Sequence, residues 1–256
     1  DGSVITWGGE NHGGDSSSVA TELSSDVSQI FSSSEAFAAI KNDGSVVTWG
    51  NSTNGGDSSS VAEQLNSGVS GISSTTFGFA ALKNDGSVVT WGNSSDGGDS
   101  SSVAEQLNSG VREIFANDHA FAALKSDGSV VTWGNTSTGG DSSSVAEQLN
   151  SGVTQIISAS DAFAAIKSDG SVVTWGNPMI GGDSSSVKGQ LNNGVTQITA
   201  TKFAFAALKN DGSVVSWGFH DVGGDSSSVA SELKSNVKEI YSSPNAFAAI
   251  RSDCSV

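Results

Sequence analysis

The chain has 256 residues, and its 11 Lys+Arg against 27 Asp+Glu give a net charge of −16. Without clustered positive charge it carries no footprint for nucleic-acid phosphates. One Cys excludes an intramolecular disulfide framework. No apolar run reaches the roughly 18 residues of a membrane span, and the N-terminus is no signal peptide. Six Trp and 11 Phe among 32 Gly and only 2 Pro point to a packed, turn-rich all-β protein.

Asp1-Gly-Ser-Val opens the chain and returns at Asp43, Asp85, Asp127, Asp169 and Asp211, then as Asp-Cys-Ser-Val at Asp253, always 42 residues on. Such a period is the signature of a repeat architecture. Six units, starting at 1, 43, 85, 127, 169 and 211, fill residues 1–252, and 253–256 form the stub of a seventh. One domain spanning 1–256 is the expected organisation.

Within a unit the elements follow in a fixed order. Val27–Phe31 and its copies, such as Val111–Phe115, predict a short strand. Ala36–Ile40 predicts a second, tightly packed one, because its face is largely Ala. Lys41-Asn-Asp-Gly44 predicts a hairpin turn whose Gly takes φ > 0. Ser45–Trp49, β-branched and aromatic, predicts the third strand. The following Gly-Gly-Asp-Ser-Ser-Ser-Val segment reads two ways. Ser60/Glu63, Ser102/Glu105 and Ser144/Glu147 fit a helical capping box, with Val61 and Leu65 four apart, but a short outer strand fits as well.

Units of three or four short strands form either propeller blades or solenoid coils. Open solenoids need polar caps on their terminal repeats. Here both terminal units keep the inner apolar positions, with Val4, Ile5 and Trp7 at one end and Val237, Ile240 and Phe247 at the other. The expectation is therefore a six-bladed β-propeller forming a monomeric ring. Residues 2–8 should complete the blade begun by 236–252, which removes two exposed edges. Cys254 in a Gly turn position, read as a free thiol, predicts that the last four residues leave the standard hairpin.

The string Phe121-Ala-Ala-Leu-Lys-Ser-Asp-Gly-Ser-Val-Val-Thr-Trp-Gly resembles the repeat of the regulator of chromosome condensation family. It is most similar to short-blade bacterial members such as the propeller-type β-lactamase inhibitor proteins. The resemblance runs through all six units and implies a propeller. It implies no single activity, because the family hosts unrelated ones, and the nucleotide-exchange and chromatin roles of chromosomal members depend on insertions and basic extensions absent here. Family rings are usually seven-bladed, so six units are either a true six-blade ring or a segment of a longer array.

Differences among the six copies concentrate in two windows. One follows Trp-Gly: Gly9–His12, Asn51–Asn54, Asn93–Asp96, Asn135–Thr138, Asn177–Ile180 and Phe219–Val222. The other precedes the Ala-rich strand: Ser33–Glu35, Thr75–Phe77, Asn117–His119, Ala159–Asp161, Thr201–Phe203 and Ser243–Asn245. All three His, both Pro and the single Met fall there. Alternating strand directions bring both windows to one end of each blade, where rigid scaffolds usually carry binding loops. Loop drift would favour small polar residues. Met179, Ile180, Lys202, Phe203, Phe219 and His220 instead predict an apolar patch, flanked by His12 and Asn245, with His119 and Phe77 on the same face.

The three His lie in different units and show no metal spacing, so no metal and no cofactor is expected. Gly-Gly-Asp is similar to calcium-binding repeats but lacks their fuller Gly-Gly-x-Gly-x-Asp pattern, so Asp15, Asp57, Asp99, Asp141, Asp183 and Asp225 read as turn caps. No Ser-His-Asp order, phosphate loop or paired acidic site stands out, and the chain is not read as an enzyme. The functional expectation is a recognition module binding a protein or glycan through its variable face, outside the cell or at its surface. The alternative is a structural or adhesive repeat array without a discrete ligand.

Overall fold

The computed structural model describes residues 1–252, so the expectation for Cys254 lies outside the described residues. Two compact units are present, the first made of 1–126 with 131–135 and the second of 127–130 with 136 onward. The first holds three antiparallel sheets: β1 (Val27–Ser32), β2 (Ala36–Lys41) and β3 (Val46–Gly50); β4 (Val69–Ser74), β5 (Gly78–Lys83) and β6 (Val88–Gly92); β7 (Val111–Ala116), β8 (Ala120–Lys125) and β9 (Val130–Gly134). The second holds β10 (Val153–Ser158), β11 (Ala162–Lys167) and β12 (Val172–Gly176), then β13 (Val195–Ala200), β14 (Ala204–Lys209) and β15 (Val214–Gly218). Its last sheet has two strands, β16 (Val237–Ser243) and β17 (Ala246–Arg251). The all-β reading is borne out, and five of the six sheets have the three expected strands.

The turn between the second and third strands explains why its residues scarcely vary. Asp43 Oδ1 accepts from the Ser45 amide at 2.9 Å and from the Ser45 hydroxyl at 2.7 Å, and Gly44 sits at φ 79°. A side-chain acceptor and a left-handed residue are both needed to reverse the chain this tightly. Register then follows, with Phe37 opposite Trp49 and Ile40 opposite Val46. The two rings stack with centroids 5.3 Å apart, a geometry repeated in four further sheets.

Strand alternation sorts the core. In the second unit, Ala162, Ala164 and Ile166 of β11 pack against Leu191, Val195, Ile198, Phe205, Val215 and Trp217. Alanine on one side leaves room for Phe and Trp on the other, so adjacent sheets pack closely. Each buried indole also reaches back one repeat. Trp133 Nε1 donates to the Gly97 carbonyl at 3.0 Å, and Trp217 Nε1 to that of Gly181 at 3.1 Å.

The ambiguous Ser-Ser-Ser-Val segment is helical. It forms a 3-10 turn such as Ser101–Val103, which runs into a short α-turn at Ala104–Leu107, and it contributes no strand. The cap is not the Ser–Glu box that one of the two readings offered. Asp99 Oδ1 accepts from the Ser101 amide at 2.8 Å, and Asp15, Asp57, Asp141, Asp183 and Asp225 accept equivalent bonds, which shows these aspartates as turn caps. Leu107 is buried beneath the turn.

The expected closing strand is absent from this structure. Residues 2–8 form no strand, although their backbone is held by bonds from Val4 N to Leu23 O at 2.9 Å and from Val27 N to Gly2 O at 3.0 Å. Trp7 is 84% exposed, whereas Trp49, Trp91, Trp133, Trp175 and Trp217 are 2–3% exposed. Each of these five buried Trp lies on a strand paired with the strand immediately before it, at negligible loop-closure cost.

Candidate recognition site

Both variable windows lie at the same end of each complete sheet, joined by one backbone bond. Asn51 N donates to Glu35 O at 2.9 Å, Asn93 N to Phe77 O at 2.9 Å, Asn135 N to His119 O at 2.9 Å, Asn177 N to Asp161 O at 2.8 Å and Phe219 N to Phe203 O at 2.8 Å. The window after Trp-Gly is a single 3-10 turn ended by a left-handed Gly. Asn51, Asn93 and Asn177 cap their turns, each accepting from the amide two residues on at 2.9–3.1 Å. Phe219 holds the same position with no side-chain cap.

In the second unit, the turn Pro178–Ile180 ends on Gly181, which lies against Phe205 and Trp217 of the next sheet. The candidate residues on that turn therefore sit beside the windows carrying Lys202, Phe203, Phe219 and His220. Met179 is 69% exposed and Phe219 39% exposed. Lys202 and His220 are exposed too, and Lys202 N donates to Pro244 O at 3.0 Å, next to the exposed Asn245. Ile180 is half-buried and packs on the core cluster, and Phe203 is half-buried. The accessible apolar surface of this group is thus mainly Met179 and Phe219.

His12, Phe77 and His119 belong to the first unit. Phe77 is half-buried. His119 Nδ1 lies 2.6 Å from Oδ1 of the buried Asp96, and His12 Nε2 lies 3.8 Å from Glu35 Oε1. Glu35 Oε2 also accepts from Asn51 at 2.9 Å and Asn54 at 2.7 Å. In the second unit, His220 Nδ1 is 2.8 Å from Asp221 Oδ1 and its Nε2 is 3.0 Å from Asp225 Oδ2. The hydrogen bond that His220 Nδ1 donates to Asp221, with the charge of Asp225 behind it, holds the His220 pKa above its ordinary value.

Glu35, Asp96 and Asp221 were not singled out in the sequence, and Asp225 was read there only as a turn cap. For His12 and His119 the signal is positional, because 12 and 35, like 96 and 119, stand 23 residues apart, and that spacing joins the two variable windows of one 42-residue repeat. Among the described residues no group of three or more His, Cys, Asp or Glu is arranged to hold a metal ion.

No protein-family profile matches the chain, and no curated protein does. Solved structures similar to it include human WBSCR16, at 18% identity over 75% of this chain and 61% of that one, with a TM-score of 0.47. Prp20p from Saccharomyces cerevisiae, studied with its binding to Gsp1p and histones, is 15% identical over 77% of this chain and 58% of that one, with a TM-score of 0.47. The computationally designed Ika8 is 14% identical over 90% of this chain and 69% of that one, with a TM-score of 0.39. The chain spans about three fifths of the length of the first two. At identities this low, function is read from the chain's own residues.

Proposed function

We propose that the six repeats are blades of a propeller of the chromosome-condensation-regulator kind, and that its variable windows form a non-catalytic recognition surface for a protein. Met179, Phe203 and Phe219 are its anchors, with Lys202, His220 and Asn245 at their margin. One observation carries this reading. Phe219 stands where Asn51, Asn93 and Asn177 cap their own turns, so an exposed aromatic replaces a stabilising cap. That exchange costs about 1 kcal/mol of local stability, and it suits a surface whose binding energy comes from a few large side chains. Exposed Met and aromatic residues are enriched at protein interfaces, which favours a protein over a glycan. A net charge of −16 favours a neutral or basic partner.

Phe219→Asn tests the proposal directly. The variant should gain about 0.5–1 kcal/mol in urea unfolding as the cap is restored. It should also lose at least about tenfold in affinity for a partner captured on the wild-type protein. Binding that survives both Phe219→Asn and Phe203→Ala, yet falls on substitution within Asn51–Asn54, would place recognition elsewhere.

A further inference from the structure

Two asparagines stand directly before glycine, Asn54 before Gly55 and Asn193 before Gly194. Asparagine is a thermally labile residue, and a following glycine leaves its own amide nitrogen unshielded by any side chain. The structure holds the two steps differently. Asn54 Nδ2 donates to Glu35 Oε2 at 2.7 Å, and the residue is half-buried in its 3-10 turn. Asn193 is exposed, and among the described residues neither its carboxamide nor the Gly194 N–H has a hydrogen-bond partner. Position 193 also differs from its counterparts in other repeats. Ser67, Ser109 and Ser151 precede the equivalent Gly68, Gly110 and Gly152, which share a φ of 75–77° with Gly194. The turn keeps its backbone without asparagine, so Asn193 brings a reactivity that the fold does not require.

We propose that Asn193-Gly194 is a self-modification site, deamidated by the chain's own backbone in the folded protein. The Gly194 nitrogen gives its proton to water or hydroxide and attacks Asn193 Cγ. The new N–Cγ bond closes a succinimide ring as the Cγ–Nδ2 bond breaks, and Nδ2 leaves as ammonia with a proton from water. Water then opens the ring. Cleavage of the N–Cγ bond leaves aspartate at position 193, and cleavage of the bond from nitrogen to the main-chain carbonyl carbon leaves isoaspartate. Either product adds one negative charge beside Lys209, whose Cε lies 3.5 Å from where a Gly194 Cβ would stand. Isoaspartate also routes the main chain through Cγ and lengthens it by one methylene. Two bonds flank that linkage: Val195 N donates to Gly170 O at 3.0 Å, and Asn210 N to Gly194 O at 2.8 Å. The first ties β13 to the turn between β11 and β12, so isoaspartate loosens the contact between these neighbouring sheets.

Incubation of the whole chain at mildly alkaline pH, followed by proteolysis and mass spectrometry, tests this. An isoaspartyl-specific methyltransferase reports the rearranged product. Freeing Asn54 breaks a hydrogen bond to a carboxylate, so Asn193 should convert at least about tenfold faster than Asn54 in the folded protein. In concentrated urea the two rates should converge. Glu35→Ala should accelerate Asn54 alone, and Asn193→Ser, which installs the residue of the equivalent turns, should abolish methylation at this turn. Equal rates at Asn54 and Asn193 in the folded protein would overturn the proposal. So would an Asn193 that stays intact in the folded chain yet converts in urea.

Discussion

Gly97 is held at φ 89°, and a Cβ added there would lie 2.5 Å from the Phe121 ring. The first Gly of each Gly-Gly-Asp therefore serves close packing beneath the next sheet's aromatic pair. Gly97→Ala should destabilise by about 2–4 kcal/mol, combining a left-handed backbone with overpacking of a fully buried ring; urea unfolding would measure it. A loss under about 0.5 kcal/mol would show that the ring yields freely. His220 is the residue to titrate. Its raised pKa means that the ion pairs with Asp221 and Asp225 contribute fully below the ordinary histidine pKa and are lost as pH rises through the raised folded value. An NMR titration should place His220 above the ordinary value and Asp225→Asn should bring it down. Titration of the wild type at the ordinary value would refute the assignment.

At the scale of the element, each complete sheet is pinned to the helical turn before it. Lys125 Nζ donates to the Gln106 carbonyl at 2.6 Å, and Lys41, Lys83, Lys167 and Lys209 make the same bond to the residue 19 positions earlier. A cation over the last carbonyls of a helical turn is favourable both as a hydrogen bond and by its charge. The bond gives the Lys side chain a role in each of the first five units, beside the backbone pairing of the same residue with the first strand. Lys125→Met should cost about 0.5–1.5 kcal/mol in chemical unfolding. No measurable change would mean that solvent replaces the bond without loss.

Over the whole molecule, the same turn chemistry recurs often enough to shape the acid response. Asp43, Asp85, Asp169 and Asp211 are held below the ordinary aspartate pKa, first by the hydroxyl of the following Ser and then by its amide. Depressed carboxylates contribute stability above the ordinary carboxylate range and lose it as pH falls through their folded values. Relief of repulsion among 27 acidic residues acts in the opposite direction, so the test is a difference in slope. Replacing all four by Asn keeps the turn acceptor and should flatten the acid side of the stability profile. Parallel wild-type and variant curves would show that these turns do not carry the acid response.

The sequence by itself determined the period, the three strands of the five complete sheets, their order and the end of the sheet at which the variable windows emerge. Those features are local: alternation, β-branching and an Asp-Gly turn act over a few residues, and six copies repeat the message. It also marked Met179 and Phe219, because a large apolar residue in a polar loop is visible without coordinates. Tertiary structure alone decided three other matters. It made Ser-Ser-Ser-Val a helical turn capped by Asp rather than a strand, because Leu107 and its equivalents are drawn into the core below. It half-buried Ile180 and Phe203 against neighbouring packing, and it set His119 on Asp96 between two neighbouring sheets. It also left Trp7 exposed while its five copies are buried. Identical strands meet different fates because burial depends on which surface lies opposite, and a strand's own sequence does not contain its partner.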